Sequence, residues 1–205
     1  MVAKEDILNA FHFRHACKTF DKSKTIDNDE MEFLLECARL SPTSFGMEQH
    51  RILHIKDKRL REQLRPACWD QDQITSCSDL LVFKAVTKEV MPNSEYVKAM
   101  FARRGLPQEH TQAYLKRYED FLSDKDITCW SQKQCYITLA NVMSVAAMRG
   151  IDSCAIEGFE TKAVEDILNI DTGTERVAVM VALGYRVNEA GKKYRLEKDR
   201  IIQKV

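Results

Sequence analysis

The chain carries no net charge: 31 Lys and Arg are balanced by 31 Asp and Glu over 205 residues. It therefore lacks the long-range attraction that a nucleic acid or an anionic membrane surface exploits. Glycine and proline are scarce, at seven and four, which excludes collagen-like or linker-rich organisation. No apolar run is long enough to span a bilayer. Met1 to Ala10 carries Lys4, Glu5 and Asp6 where a secretory signal would carry an apolar core. The Gly-x-Gly-x-x-Gly fingerprint and the Walker loop are missing, so the usual dinucleotide and nucleoside-triphosphate cradles are absent. No Ser-His-Asp or Cys-His order is legible. The seven cysteines are odd in number and contain no Cys-x-x-Cys pair, which favours a reducing cytoplasm over a disulfide scaffold.

What remains is ordinary globular composition, with 44% hydrophobic and 30% charged residues, and length for one domain over 1–205. Ile7, Leu8 and Phe11 have helical spacing over 4–13. A second helix starts at Asp27, which can cap it, with Glu30 placed to close a capping box and Ile26 and Met31 to form a hydrophobic staple. Its buried stripe is Met31, Leu34, Leu35 and Ala38, and Pro42 stops it. A polar loop, Ser41 to Gln49, leads to a short strand over Arg51 to Ile55. Short helices follow near Leu60 to Leu64 and Gln71 to Ser78. The run Leu80 to Val86 is too continuously apolar for a half-exposed edge and predicts a central strand. Residues 93–122 are charged and helical, broken near Gly105-Leu106-Pro107, and predict a protruding excursion. Trp130 to Arg149 predicts a long helix apolar on most faces, closed by Gly150. Ser153 to Ile156 predicts a strand, Thr161 to Leu168 a helix, and Arg176 to Leu183 a second strongly apolar strand. Helices interrupt the strands unevenly, the pattern of an α+β fold.

Four segments are candidates for binding. Arg14-His15-Ala16-Cys17-Lys18 places two cations four residues apart, able to clamp a phosphate; on its own it is a solvated basic turn. Ser41 to Gln49 offers hydroxyls and a glycine, or simply a polar loop. At Ile156-Glu157-Gly158-Phe159 a glycine lets backbone approach a flat ligand. Lys193-Tyr194-Arg195 is a second basic pair. Together they describe a flat anionic ligand held at several points along the chain. His50 and His54 are four apart, but in a strand that spacing is about 13 Å, which rules out one shared metal ion. Trp69 and Trp130 read as packing residues, and the cysteines as small core residues.

Taken in order, these segments resemble the FMN-dependent nitroreductase family, especially the oxygen-insensitive NAD(P)H nitroreductases, from about Phe13 to Arg195. Arg14-His15-Ala16-Cys17-Lys18-Thr19-Phe20-Asp21 is similar to the family's Arg-His-Ser-x-Lys-x-Phe-Asp element, and Leu40-Ser41-Pro42-Thr43-Ser44 to its Ser-Pro-Ser-Ser loop. Trp130 to Tyr136 resembles the start of its long helix. Gly150 to Phe159 resembles its Gly-Leu-Asp-x-x-x-Ile-Glu-Gly-Phe segment, the most specific of the set.

The resemblance implies a nitroreductase-like fold: a central, mainly antiparallel sheet flanked by helices, in an intertwined homodimer with exchanged C-terminal tails and FMN at the interface. It implies hydride transfer from NAD(P)H through flavin N5 to nitroaromatic or quinone-type acceptors in a two-step ping-pong scheme. Lys18 and Glu157 become the catalytic pair, Lys18 by stabilising negative charge on the reduced ring and Glu157 through backbone N–H near N5. Arg14, Lys193 and Arg195 become the phosphate grip. Flavin contacts fall further on His15, Ala16, Pro42, Thr43, Ser44, Gly46, Asp70, Gln73, Ile156 and Gly158. No metal, nucleic acid or membrane is implied.

The sequence departs from the family at Gly46, Glu48 and Gln49-His50. It departs again at Asp70, which stands where an Asn is usual and can accept but not donate. Asp70 and Glu48 are expected to add negative charge beside the ring and lower its potential; the alternative places Asp70 toward solvent or a surface Arg. Cys17 resembles a subgroup associated with activation of nitroimidazole prodrugs. Other readings are a non-catalytic FMN carrier or sensor of the same fold, and a related enoate or pteridine reductase.

Overall fold

The architecture follows from two strands that are apolar on both faces and from the helices that cover them. The structure, a computed structural model, describes residues 2–205. Four strands, β1 (His50–Ile55), β2 (Asp79–Val86), β3 (Asp152–Ile156) and β4 (Glu175–Gly184), form one sheet in the order β1-β2-β4-β3, antiparallel at every pairing. β2 and β4 are central, as the continuous apolar run predicts, and the register slips once, between Phe83 and Lys84. The helices are α1 (Lys4–Phe13), α2 (Asn28–Arg39), α3 (Lys58–Ala67), α4 (Gln73–Ser76), α5 (Glu95–Ala102), α6 (Gln108–Leu122), α7 (Ile127–Met148), α8 (Thr161–Ile167) and α9 (Lys198–Ile201). This is the α+β fold expected from the sequence.

Alternate residues of β2 feed opposite sides of the sheet, as the two-residue period of a strand requires. Leu80 and Val82 join Met180, Ala182, Leu64, Ile74 and Val164 in a core beneath α3, α4 and α8. Leu81, Phe83 and Ala85 join Val179 and Val181 in a second core under α2 and α7, filled by Met31, Leu34, Leu139 and Val142. Leu34, Leu80 and Leu81 are fully buried, each stabilising by about 1.5–3 kcal/mol relative to an exposed side chain. A third core, Met47, Val97, Phe101, Tyr118 and Trp130, lies between α5, α6 and the start of α7. The helical excursion therefore has its own packed interior.

α7 ends where Gly150 adopts φ +71°. Ile151 N–H reaches Ala146 O at 2.8 Å and Gly150 N–H reaches Ala147 O at 3.1 Å, so both orphan carbonyls are satisfied by a turn that a β-carbon would strain. The start of α2 departs from expectation. Asp27 is the cap residue by position, but its side chain accepts no capping bond. Glu30 instead makes a two-point contact with Arg149 at the end of α7. An Arg fork binds a carboxylate with two parallel charge-assisted bonds, which outcompetes a reach back to one amide. Leu8 and Phe11 of α1 are also exposed, as are Tyr136, Ile137 and Met148 of α7. The apolar spacing that marks these helices continues onto the outer surface of the chain.

Candidate functional site

The basic segment after α1 runs beside β3, with Ala16 bridged to Ser153 in parallel fashion and Cys17 N–H donating to Ser153 O at 3.2 Å. Asp152 anchors it. This carboxylate is only 3% exposed and takes Arg186 Nη2 at 2.6 Å and Arg186 N–H at 2.9 Å. Arg186 also caps the Phe13 ring at 4.1 Å. His15 lies 3.5 Å from Asp152, yet its pKa is lowered, first by burial and then by Arg186. His15 is thereby a neutral packing partner, and the segment's charge rests on Arg14 and Lys18.

Lys18 Nζ donates to Cys154 Sγ at 3.6 Å, and Gln73 Nε2 approaches the same sulfur at 3.9 Å. Gln73 in turn donates to Gln71 Oε1 at 2.7 Å, and Gln71 Nε2 donates to Gly158 O at 2.7 Å. One chain of contacts therefore links Lys18, Gln73 and Gly158. Lys193 Nζ reaches the carbonyls of Phe11 and Arg14, which binds the C-terminal segment to the end of α1. Its pKa is lowered by burial and by repulsion from Arg14 and Arg195. None of Arg14, Lys18, Lys193 or Arg195 has a carboxylate partner among the described residues.

Gly158 is a close-approach glycine. A β-carbon there would stand 2.8 Å from Cε3 and Cζ3 of Trp69. The indole is pinned by its Nε1–H, which donates to Glu160 Oε1 at 2.9 Å. The backbone N–H groups of Glu157 and Gly158 donate to no carbonyl of the chain, and Tyr136 OH donates to the Glu157 carboxylate. Glu157 thus turns its side chain toward α7 and leaves its amide free. Asp70 is exposed with a left-handed backbone, φ +52°, and has no ion-pair partner among the described residues, the solvent-facing alternative. Trp69 is 62% exposed, so it is a surface wall of Gly158 and not a core residue.

The Ser41–Gln49 loop is built elsewhere. Pro42 is exposed, and Ser44 N–H donates to Gln134 Oε1 of α7 at 2.9 Å. Thr43 Oγ1 accepts from Glu48 N–H at 2.9 Å. Phe45, Gly46 and Glu48 all have positive φ, and three side chains of α5 and its exit hold this turn. Tyr96 OH donates to Met47 O, Arg103 to Gly46 O, and Arg104 to Phe45 O. Glu48 pairs with Arg103 at 2.6 Å, which lowers its pKa. Its charge is therefore paired with a cation, and Glu48 and Arg103 together carry no net charge.

Two groups result. Along β3 the structure brings together Arg14, His15, Ala16 and Lys18 with Gln73, Ile156, Glu157 and Gly158, and Lys193 joins them at the carbonyls of Phe11 and Arg14, whereas the exposed Arg195 bonds Tyr194 O. Pro42, Thr43, Ser44 and Gly46 form a second group across α7, and no hydrogen bond or ion pair joins it to the first. Asp70 stands beside the first group through Trp69. Sequence reasoning missed Cys154 as the common acceptor for Lys18 and Gln73, and Asp152–Arg186 as the anchor. Cys154 had a signal, since it lies inside the Gly150–Phe159 segment; Arg186 had none. Among the described residues no cluster of three potential metal ligands occurs, and no helix is long and apolar enough to cross a membrane.

Comparison with known proteins gives these groups a family. The model of the nitroreductase family matches residues 12–185. The relative named "Putative NAD(P)H nitroreductase YfkO", from Bacillus subtilis, is 37% identical over 207 aligned residues covering 94% of each chain. Among solved structures, a nitroreductase-like protein from Streptococcus mutans superposes with a TM-score of 0.87 at 18% identity, over 99% of this chain and 100% of that one. A "putative nitroreductase in complex with FMN" from Exiguobacterium sibiricum gives 0.82 at 20% identity, over 100% and 99%. With the basic segment, the Ile-Glu-Gly-Phe turn and the hydroxyl loop all inside or beside the matched span, the chain belongs to the nitroreductase family.

Proposed function

We propose that the protein is an FMN-dependent oxidoreductase, a single flavin-binding domain working as a homodimer in the cytoplasm. It takes a hydride from NAD(P)H and delivers it to a nitroaromatic or quinone-type acceptor at the same place, in two half-reactions. The observation that carries this reading is a set of cations without carboxylate partners, of which Lys18 is linked through Cys154, Gln73 and Gln71 to a glycine whose β-carbon would meet the Trp69 ring. An uncompensated cluster of Arg14, Lys18, Lys193 and Arg195 is electrostatically unfavourable alone and is relieved by a phosphate. The free amides of Glu157 and Gly158, beside a glycine walled by the exposed Trp69 ring, suit a flat heterocycle. The residues present therefore fit FMN.

When bound, FMN supplies a ring that accepts a hydride and returns it. Arg14, Lys193 and Arg195 hold the phosphate, and Lys193 secures the tail to Arg14 as it does so. Lys18 holds a positive charge where negative charge develops, and Cys154 and Gln73 fix that charge in place without moving a proton. Glu157 offers its amide N–H, its carboxylate being engaged by Tyr136. Gln71 steadies the Gly158 carbonyl. No side chain is needed as a nucleophile.

The second group is supplied by another copy of the chain. Thr43, Ser44 and Gly46 lie across α7 from Lys18 and Gly158, while Tyr136, Ile137 and Met148 of α7 are exposed apolar residues. Burying these faces in a symmetric pair stabilises the assembly and places the hydroxyl loop of one protomer beside the basic group of its partner.

The test is an anaerobic titration of the purified, FMN-loaded protein with NADPH or NADH followed by visible absorption. Bleaching, and recovery of colour on adding a nitroaromatic or a quinone, is the expected result. A yellow protein that neither nicotinamide bleaches is a carrier or sensor and refutes the catalytic reading. A colourless protein that refuses FMN refutes both.

A further inference from the structure

The helical excursion holds two charges and an aromatic surface that the flavin site does not use. Its other side-chain cations are locally neutralised: Lys98 by Glu95, Arg103 by Glu48 and Lys116 by Asp120. Arg104 and Arg117 have no carboxylate partner among the described residues. Arg104 lies over two rings, its guanidinium carbon 4.8 Å from the Phe101 ring centre and 5.4 Å from that of Tyr114. The two rings are themselves stacked at 5.9 Å and 20°. These cation–ring contacts hold the guanidinium while a single nitrogen donates to Phe45 O, so most of its donors remain available. Beside it, His110, Ala113, Tyr114 and Arg117 line a depression of about 280 Å³ with no acidic side chain in its wall. An exposed aromatic ring flanked by two unpaired arginines is suited to a heteroaromatic group that carries a phosphate.

We propose that this face, built from Arg104, His110, Tyr114 and Arg117, binds the 2′-phosphoadenosine end of NADPH and selects it over NADH. The assignment rests on the hydride-donor reading above. A nicotinamide dinucleotide reacts at one end and carries its adenosine at the other, so it needs a contact removed from the reacting ring. An acceptor that must itself lie on the flavin has no such second end. The arginine fork reaches the hydroxyl loop one residue from Ser44, which joins this face to the loop that completes the site. Tyr114 offers a ring for the adenine, and Arg104 and Arg117 a bidentate grip for the phosphate.

The experiment uses the FMN-loaded protein and two readouts. Binding of adenosine 2′,5′-bisphosphate and of adenosine 5′-monophosphate is measured by calorimetry, and KM is measured for NADPH and NADH. The bisphosphate is expected to bind more tightly than the monophosphate. Arg117→Ala should weaken it about tenfold and raise the NADPH-to-NADH ratio of KM values by a similar factor, the loss of one charge-assisted phosphate contact. Arg117→Lys should restore part of both. Equal binding of the bisphosphate to wild type and Arg117→Ala, or no preference for it over the monophosphate, overturns the proposal. So does an Arg117→Ala protein whose KM changes for 4-nitrobenzoate and not for NADPH, which would give the face to an anionic acceptor. If neither nicotinamide bleaches the flavin, the catalytic reading fails, and the calorimetric result still decides the site.

Discussion

Replacing Gly158 by Ala tests the steric core of the site. The added β-carbon would lie 2.8 Å from two carbons of the Trp69 ring and 3.1 Å from Gln71 Nε2. Carbon pairs rest at about 3.5–4.0 Å, so the ring must retreat by roughly 0.7–1.2 Å. It cannot do so freely. Its indole N–H is bonded to Glu160 at 2.9 Å, and Trp69 itself has a left-handed backbone, φ +55°. Inward, Gln71 is bonded to both Gly158 O and Cys68 O. Outward, the ring is exposed, and swinging it costs the indole bond, about 0.5–1.5 kcal/mol, plus its packing on Gly158. We expect a loss of about 1–2 kcal/mol, at the low end of overpacking because the surface is near. In a chain of this length each kcal/mol lowers Tm by about 2–4 °C.

FMN affinity should fall further, by about tenfold, because the free amide of Gly158 moves with the backbone that yields. Thermal melts with and without FMN read both effects. Trp69→Ala in the Gly158→Ala background should recover most of the lost stability, a coupling that a double-mutant cycle isolates. A Gly158→Ala protein that melts within a degree of wild type refutes the close approach, and a double variant with no recovery shows that Trp69 is not the obstacle.

Three further predictions concern charge and thiols. Asp70→Asn should raise the flavin midpoint potential by on the order of 10 mV, as expected for one exposed and screened carboxylate, while removing both partners of the neutral pair, Glu48→Gln with Arg103→Gln, should move it less because their charges already cancel; a redox titration showing the reverse order would contradict the geometry. His15 and His50 have pKa values lowered chiefly by burial, so the unfolded chain binds more protons below its own value of 6.5. Their contribution is whole above that pH and is lost as pH falls through the folded pKa values. Melts between about pH 8 and pH 5 should therefore show a falling Tm, with a shallower fall in His50→Gln; a flat profile counts against the burial argument. Of the seven free cysteines, Cys129 is exposed and Cys37 half-buried, and burial pushes Cys68 and Cys135 up to about 12. A thiol reagent should react quickly with Cys129, more slowly with Cys37, and with the remaining five only after denaturation; rapid reaction of all seven would show that the two cores are open.

How much of this was legible before folding depends on whether the signal is local. The central position of β2 was legible because a strand buried on both faces must be apolar at every position. The end of α7 was legible because only a left-handed residue lets Ile151 reach Ala146. The basic segment and the Gly158 turn were recognisable as text for the same reason, each needing a few adjacent residues. What the sequence hid is reciprocal choice between distant groups. Asp27 and Glu30 spell a capping box, yet Glu30 prefers an arginine 119 positions away. Glu48 reads as a charge beside the ligand until Arg103 meets it. The exposed faces of α1 and α7 carry the same lesson to the next level. Helical spacing shows that Leu8, Phe11, Ile137 and Met148 want burial, but not against what. The hydroxyl loop and the basic group stand on opposite sides of α7 in one chain. The paired chains of the proposed function answer both at once: such a pair would bury the apolar faces of α7 and bring the two halves of the site together.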